Sequence, residues 1–155
     1  MKKWTIKILI GLTIIYGLVV FLVPNFIDKK YNTIAQLPPY EVSPEAQDLF
    51  NSLDFIADLH CDALLWKRNL NQKNNFGAVD IPRLVEGKVS LQAFTIVSKV
   101  PFGLNIKSNS ESDMLTLQSF ASGRNPSTWF SPFGRAISQC NELKKFSEKS
   151  DGKFR

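Results

Sequence analysis

The sequence has 155 residues, among them 19 lysines and arginines, 14 aspartates and glutamates, two cysteines and one histidine. This length fits one modest domain or part of a larger one, and a content of 44% hydrophobic and 21% charged residues excludes wholesale disorder. A single histidine also excludes a metal site built from several imidazoles of this chain alone.

Much of the excess positive charge lies at the N-terminus. Three of the 19 basic residues precede every acidic residue: Lys2, Lys3 and Lys7. The sequence that follows contains the other 16 basic residues and all 14 acidic ones. The rest of the chain is therefore close to neutral. It lacks the concentrated basic face that nucleic-acid binding requires, so we expect no nucleic-acid partner.

Residues 1–24 are predicted to form a transmembrane anchor or signal-anchor. The stretch Trp4–Val23 contains 20 residues and one charge, that of Lys7, and a helix of about 20 residues spans the roughly 30 Å hydrocarbon core of a bilayer. The alternatives are a cleaved signal peptide, which normally ends in small residues, and a buried core helix. The leading lysines favour an extracytoplasmic body, although Lys29 and Lys30 weaken this bias.

The remaining chain is divided into a spacer over residues 25–42, which ends in Pro38-Pro39, and a domain over residues 43–155. Hydrophobic periodicity and capping residues predict three helices and two strands in the domain. The helices are expected over residues 43–53, 113–120 and 131–152, and the strands over residues 55–62 and 89–97. This alternation is typical of an α/β fold.

The C-terminal helix carries an apolar stripe at helical spacing, which we expect to face the core. Its members are Phe133, Ile137, Cys140, Leu143 and Phe146. Beyond the helix, residues 153–155 are expected to begin another strand.

The residues with the clearest chemical potential are Asp58, His60 and Asp62. On a strand, alternate positions share one face, so these three side chains converge at the end of an apolar run. An imidazole nitrogen beside a carboxylate can chelate a divalent metal such as Zn²⁺. A histidine that is merely hydrogen-bonded within the structure fits the same spacing, and the spacing alone leaves both interpretations open.

Cys61 and Cys140 are expected to be buried free thiols, with a disulfide between them as the alternative in an oxidising compartment. Cys61 is not expected to be a nucleophile, because His60 points to the opposite face of the strand.

Two further motifs follow the Asp58-x-His60-x-Asp62 pattern. Val79-Asp80-Ile81-Pro82-Arg83-Leu84 comes next, and then Gln92-Ala93-Phe94. Over residues 54–100 this order resembles the start of the membrane dipeptidase family, the renal-dipeptidase-like metallopeptidases. The chain departs from the family pattern at Lys88, where a second glycine is usual, and at Ala93, which separates Gln92 from Phe94.

The resemblance implies the N-terminal part of a TIM-like (β/α)₈ barrel, preceded by one transmembrane helix, with two zinc ions at the carboxyl ends of the strands. His60 and Asp62 would be ligands of one zinc, and Asp58 would support them without binding the metal. The family's bridging glutamate, further histidines and acid–base aspartate come from later strands, so no catalytic residue is assigned within this chain. Asp80 and Arg83 are expected to form a salt-bridged turn.

The function implied is hydrolysis of the peptide bond of a dipeptide substrate by a metal-activated water. Because a barrel needs about 250 residues, we expect this chain to be an incomplete N-terminal part that is inactive alone. The alternative is a non-catalytic membrane-anchored domain that retains the family motifs as a scaffold. The resemblance also allows a homodimer.

Overall fold

A computed structural model describes residues 3–155; Lys2 of the basic cluster lies outside the described residues. Within this range the chain forms five α-helices and two β-strands, joined by loops and by 3₁₀ turns at Ala63–Leu65 and Pro126–Thr128. In chain order the elements are α1 (Lys3–Tyr31), α2 (Pro44–Ser52), β1 (Ile56–Cys61), α3 (Ile81–Glu86), β2 (Val89–Phe94), α4 (Met114–Ala121) and α5 (Pro132–Glu148).

Local capping determines where the predicted helices of the domain begin. The side chain of Ser43 accepts a hydrogen bond from Ala46 N at the start of α2, and Ser131 accepts one from Gly134 N at the start of α5. Asp113 caps α4 in the same way. These oxygens satisfy backbone N–H groups that have no partner in the first turn of a helix. The three helices predicted in the domain are confirmed.

β1 and β2 form a two-stranded parallel sheet, with α3 in the connection between them. Asp58 lies opposite Gln92, and Cys61 lies opposite Phe94. Both predicted strands are confirmed. Because the pairing is parallel, the carboxyl ends of the two strands meet at one edge of the sheet.

The prediction of the N-terminal part of a (β/α)₈ barrel is wrong for the part of the chain that the structure describes. Residues 3–155 form a small mixed α/β structure whose sheet has two strands. A barrel closes only when a complete ring of strands pairs edge to edge, typically eight of them, and two strands cannot do this. Residues 153–155, expected to begin a further strand, are not in a strand. Phe154 N instead donates a hydrogen bond to Ser150 Oγ over 3.1 Å.

A small apolar core lies between the sheet and α5. Its buried members are Cys61, Ala63, Leu64 and Leu70, and the partly buried side chains that pack against them are Val79, Phe94, Leu143 and Phe146. The C-terminal half of the predicted α5 stripe therefore faces the core.

The N-terminal half of that stripe does not. Phe133 and Ile137 are 74% and 45% exposed, whereas Arg135 and Gln139 are buried. Arg135 Nε donates to Ser98 O over 2.7 Å. The buried face of this half of α5 is therefore determined by polar contacts with the residues that follow β2. It is not determined by the spacing of the apolar residues.

Among the described residues, one helix, α1, is long and apolar enough to cross a membrane. It continues through the first seven residues of the predicted spacer, to Tyr31. The helix also contacts the domain at several points along its length. Tyr16 Oη donates to Phe120 O over 3.1 Å, and the Asp28 carboxylate pairs with Arg68 at 3.1 Å.

Candidate metal centre

His60 and Asp62 come together at the carboxyl end of β1. The Nε2 atom of His60 lies 3.4 Å from the Oδ2 atom of Asp62, and the two side chains are 72% and 46% exposed. β1 ends at Cys61, so alternate positions carry both side chains to the edge where β2 also ends. The two predicted ligands are therefore neighbours and open to solvent.

Thr95 holds Asp62 in position. Its hydroxyl donates a hydrogen bond to Asp62 Oδ1, which leaves Oδ2 as the oxygen closest to His60. Its backbone N–H donates to Cys61 O over 2.9 Å and extends the parallel pairing by one step. Thr95 is not among the site residues predicted from the sequence. The signal that identifies it is positional, since Thr95 follows β2 just as Asp62 follows β1.

Asp58 supports the backbone at His60. Asp58 Oδ1 accepts a hydrogen bond from His60 N at 3.1 Å, and Oδ2 accepts one from Gln92 Nε2 at 2.9 Å. The His60 N–H, followed by the Gln92 amide, lowers the pKa of Asp58 below its usual value. Both carboxylate oxygens are thus engaged within the sheet, and Asp58 fixes the strand from which His60 projects.

The separation of the two exposed donors fits a zinc ion. Zinc binds imidazole nitrogen and carboxylate oxygen at about 2.1 Å, and in a tetrahedral site two such donors lie about 3.4 Å apart. The observed distance between His60 Nε2 and Asp62 Oδ2 is 3.4 Å, which fits this separation and also a direct hydrogen bond or ion pair between the two side chains. Two donors are half of the usual four, and no group of three or more His, Cys, Asp or Glu side chains within residues 3–155 comes together in a way that could hold a metal ion.

Asp80 and Arg83 form the predicted salt-bridged turn. Arg83 Nη2 lies 2.6 Å from Asp80 Oδ2, and Asp80 is completely buried. Asp80 also caps α3 by accepting from Arg83 N at 3.0 Å, and it accepts from Asn74 N at 2.9 Å. The pair fixes the turn that leads into α3 and contributes no group to the candidate centre.

Both cysteines are free, as predicted, but they differ in exposure. Cys61 is buried, and this burial raises the pKa of its thiol above the ordinary value. Cys140 is exposed, which corrects the prediction that it is buried. A buried thiol of raised pKa is a poor metal ligand and a poor nucleophile, so Cys61 belongs to the core and not to the candidate centre.

Comparison with known proteins found no match: no family model, no curated protein and no solved structure corresponds to this chain. The likeness to membrane dipeptidases is therefore carried by the motifs of residues 54–100 alone, and it stays a prediction.

Proposed function

We propose that this chain contributes the first metal ligands of a zinc-dependent dipeptidase, with His60 and Asp62 holding one zinc ion. The observation that carries the proposal is the 3.4 Å approach of His60 Nε2 to Asp62 Oδ2 at the edge where both parallel strands end. The order of the motifs from Asp58 to Phe94 supports the peptidase class, because it resembles the start of that family.

Each residue of the candidate centre has a distinct role in the proposal. Zinc, when bound, supplies a Lewis acid that polarises water and a substrate carbonyl oxygen. His60 contributes a neutral imidazole nitrogen, and Asp62 contributes a negative charge that partly offsets that of the cation. The Thr95 hydroxyl orients Asp62, and Asp58 orients the backbone of His60. The exposed position of both ligands leaves space for a small substrate such as a dipeptide.

The proposed site needs groups beyond this pair. Zinc takes about four ligands, and a two-zinc site of the proposed kind also needs a bridging carboxylate and an acid–base group. The described residues bring no third His, Cys, Asp or Glu to the pair. We therefore assign no catalytic residue to this chain and propose that it does not hydrolyse dipeptides by itself, the missing ligands coming from a further segment.

The proposed location is a membrane, with the body on the extracytoplasmic side. α1 supplies the apolar length, and the basic residues at its start, including Lys3 and Lys7, favour a cytoplasmic N-terminus. In this arrangement α1 is an uncleaved anchor and the candidate centre faces the exterior.

Zinc retention tests the ligand assignment. The full-length protein is purified in detergent micelles, dialysed against zinc and analysed for bound metal. We expect zinc to be retained by the unmodified protein and lost from His60→Ala and Asp62→Asn. The matched control is Asp54→Asn, which removes an exposed carboxylate outside the pair. Undiminished zinc in His60→Ala would refute the assignment of His60 as a ligand.

Dipeptide hydrolysis by the full-length protein tests the enzymatic part. We expect zinc-dependent release of free amino acids that is lost in His60→Ala. A full-length protein that retains zinc through His60 but cleaves no dipeptide would support the non-catalytic membrane-anchored domain instead.

A further inference from the structure

We infer that an apolar surface beside α1 lies within the lipid bilayer, in contact with acyl chains. This surface, the α4 patch, consists of five side chains that line one shallow groove: Phe102, Leu117, Phe120, Trp129 and Phe130. Phe102, Leu117 and Phe130 are 53%, 62% and 82% exposed. The inference rests on the proposed anchoring of α1 in a membrane and adds a second membrane-embedded surface to it.

The α4 patch is continuous with the apolar surface of α1. The ring of Tyr16 lies 4.9 Å from the ring of Phe120, and its hydroxyl donates to Phe120 O over 3.1 Å. One turn further along α1, a Cβ atom placed on Gly123 would lie 2.6 Å from Val20 Cγ1. The end of α4 therefore packs directly on the middle of the apolar helix.

The depth of this contact follows from helix geometry. Tyr16 precedes Val23, the end of the apolar stretch, by seven residues, or about 10 Å along the helix. If Trp4–Val23 fills the hydrocarbon core, Phe120 lies about 10 Å inside that core. The residues before Tyr16 cannot cross the bilayer by themselves, since the twelve positions from Trp4 to Ile15 cover only about 18 Å of the roughly 30 Å required.

The body cannot slide along α1 to avoid this depth. Asp28 is paired with Arg68 at 3.1 Å with both side chains buried, and Gly77 N donates to Asn32 O over 2.6 Å. Together with the Tyr16 contact, these points hold the body over about 24 Å, from Tyr16 to the residue that follows α1. If α1 spans the membrane, it takes the α4 patch into the bilayer.

Three polar groups around the α4 patch, those of Trp129, Tyr16 and Asp113, are satisfied within the protein, as a lipid environment favours. Trp129 Nε1 donates to Arg124 O over 2.9 Å, and the Tyr16 hydroxyl bonds to Phe120 O. The one charged side chain that lines the groove is Asp113, and it is paired with Arg135.

Spin labels on the full chain in phosphatidylcholine vesicles test the inference. Phe130→Cys and Leu49→Cys are made separately in a Cys140→Ser background, in which Cys61 is buried. Leu49, on α2, is 63% exposed and serves as the matched control. The measurement compares collisions of each label with oxygen, which concentrates in lipid, and with a water-soluble nickel chelate. We expect oxygen to dominate at position 130 and the nickel chelate to dominate at position 49.

A third label separates failure of the inference from failure of the anchor. Ile15→Cys lies on the exposed surface of α1 and reports whether the helix itself is in lipid. The inference would be overturned, and the anchor left intact, if nickel reached the label at position 130 while oxygen dominated at position 15. A label at position 130 shielded from both reagents would overturn it in favour of a covering protein surface, such as a second copy. Nickel access at position 15 would overturn the anchor and the inference together.

Discussion

Asp28 on α1 pairs with Arg68 of the domain, with Oδ2 3.1 Å from Nε and side-chain exposures of only 4% and 5%. A buried ion pair stabilises little relative to an apolar pair of the same volume, but removing one partner leaves an uncompensated charge. This pair therefore makes the docking of α1 on the domain sensitive to single substitutions.

We expect Asp28→Ala to lower the free energy of unfolding by about 3–5 kcal/mol, because the charge of Arg68 stays buried without a carboxylate to pair with. Denaturant unfolding in detergent micelles, followed by tryptophan fluorescence, measures the change. The exposed Asp48 on α2 supplies the control, Asp48→Ala, for which a change below about 0.5 kcal/mol is expected. The double variant Asp28→Leu/Arg68→Met should recover most of the loss; a double variant as unstable as Asp28→Ala would argue against an unpaired charge as the cause.

Thr95 provides a prediction about the candidate metal centre. Thr95→Val keeps the shape of the side chain but removes the hydroxyl that orients Asp62, so zinc affinity should fall by about 10–100-fold. Titration of the full-length protein with a competing zinc chelator measures the affinity. Thr95→Ser, which restores the donor, should bind as the unmodified chain does, and so should Thr33→Val, which alters an exposed threonine elsewhere. Equal affinities in Thr95→Val and the unmodified chain would contradict the orienting role.

Asp80 provides a prediction about pH. Burial opposes its ionisation, but hydrogen bonds from Arg83 and Asn74 outweigh burial and lower the pKa of Asp80 below its usual 3.8. Its contribution to stability is therefore fully present above about pH 4 and is lost as the pH falls through the lowered folded-state pKa. Asp80→Asn should cost about 2–4 kcal/mol at neutral pH.

The measurement is urea unfolding of Asp80→Asn and the unmodified chain between pH 7 and strongly acidic pH. The difference in unfolding free energy should be constant near neutrality and shrink below about pH 4. A difference that stays the same throughout would show that the amide disrupts packing and that ionisation is not involved.

The two thiols should react at very different rates with a maleimide. Cys140 is exposed, whereas Cys61 is buried and burial raises the pKa of its thiol, so the native chain should take up one equivalent rapidly. Mass spectrometry of the labelled chain gives the count, and unfolding in urea should release the second thiol. Cys140→Ser should abolish the rapid phase; rapid labelling that persists in this variant would show that Cys61 is accessible.

The parts of the fold that follow from local chemistry were predictable. The starts of three helices are an example, since each is capped by the residue that precedes the helical pattern: Ser43, Asp113 or Ser131. Each of these side chains accepts a hydrogen bond from a backbone N–H no more than three residues ahead. The shared face of His60 and Asp62 likewise follows from the period of a strand.

The parts that depend on distant partners were not predictable from spacing. Gln139 is buried because its Nε2 donates to Val97 O over 2.9 Å and its Oε1 accepts from Val97 N at 3.2 Å, an interaction across 42 positions of sequence. The apolar stripe of α5 does not predict this interaction. Thr95 became part of the candidate centre only through the parallel pairing of β1 and β2, and the barrel prediction failed because motifs do not specify how many strands pair.

The contacts of Tyr16 and Asp28 of α1, and of Asn32 just after it, hold the helix to the domain ahead of the segment 33–42. The length of that segment therefore does not determine the distance between the domain and α1. Inserting residues into it would leave the position of the domain on α1 unchanged. The domain is therefore not free to rotate about a flexible linker. The edge that carries His60 and Asp62 therefore keeps one height and one tilt with respect to α1.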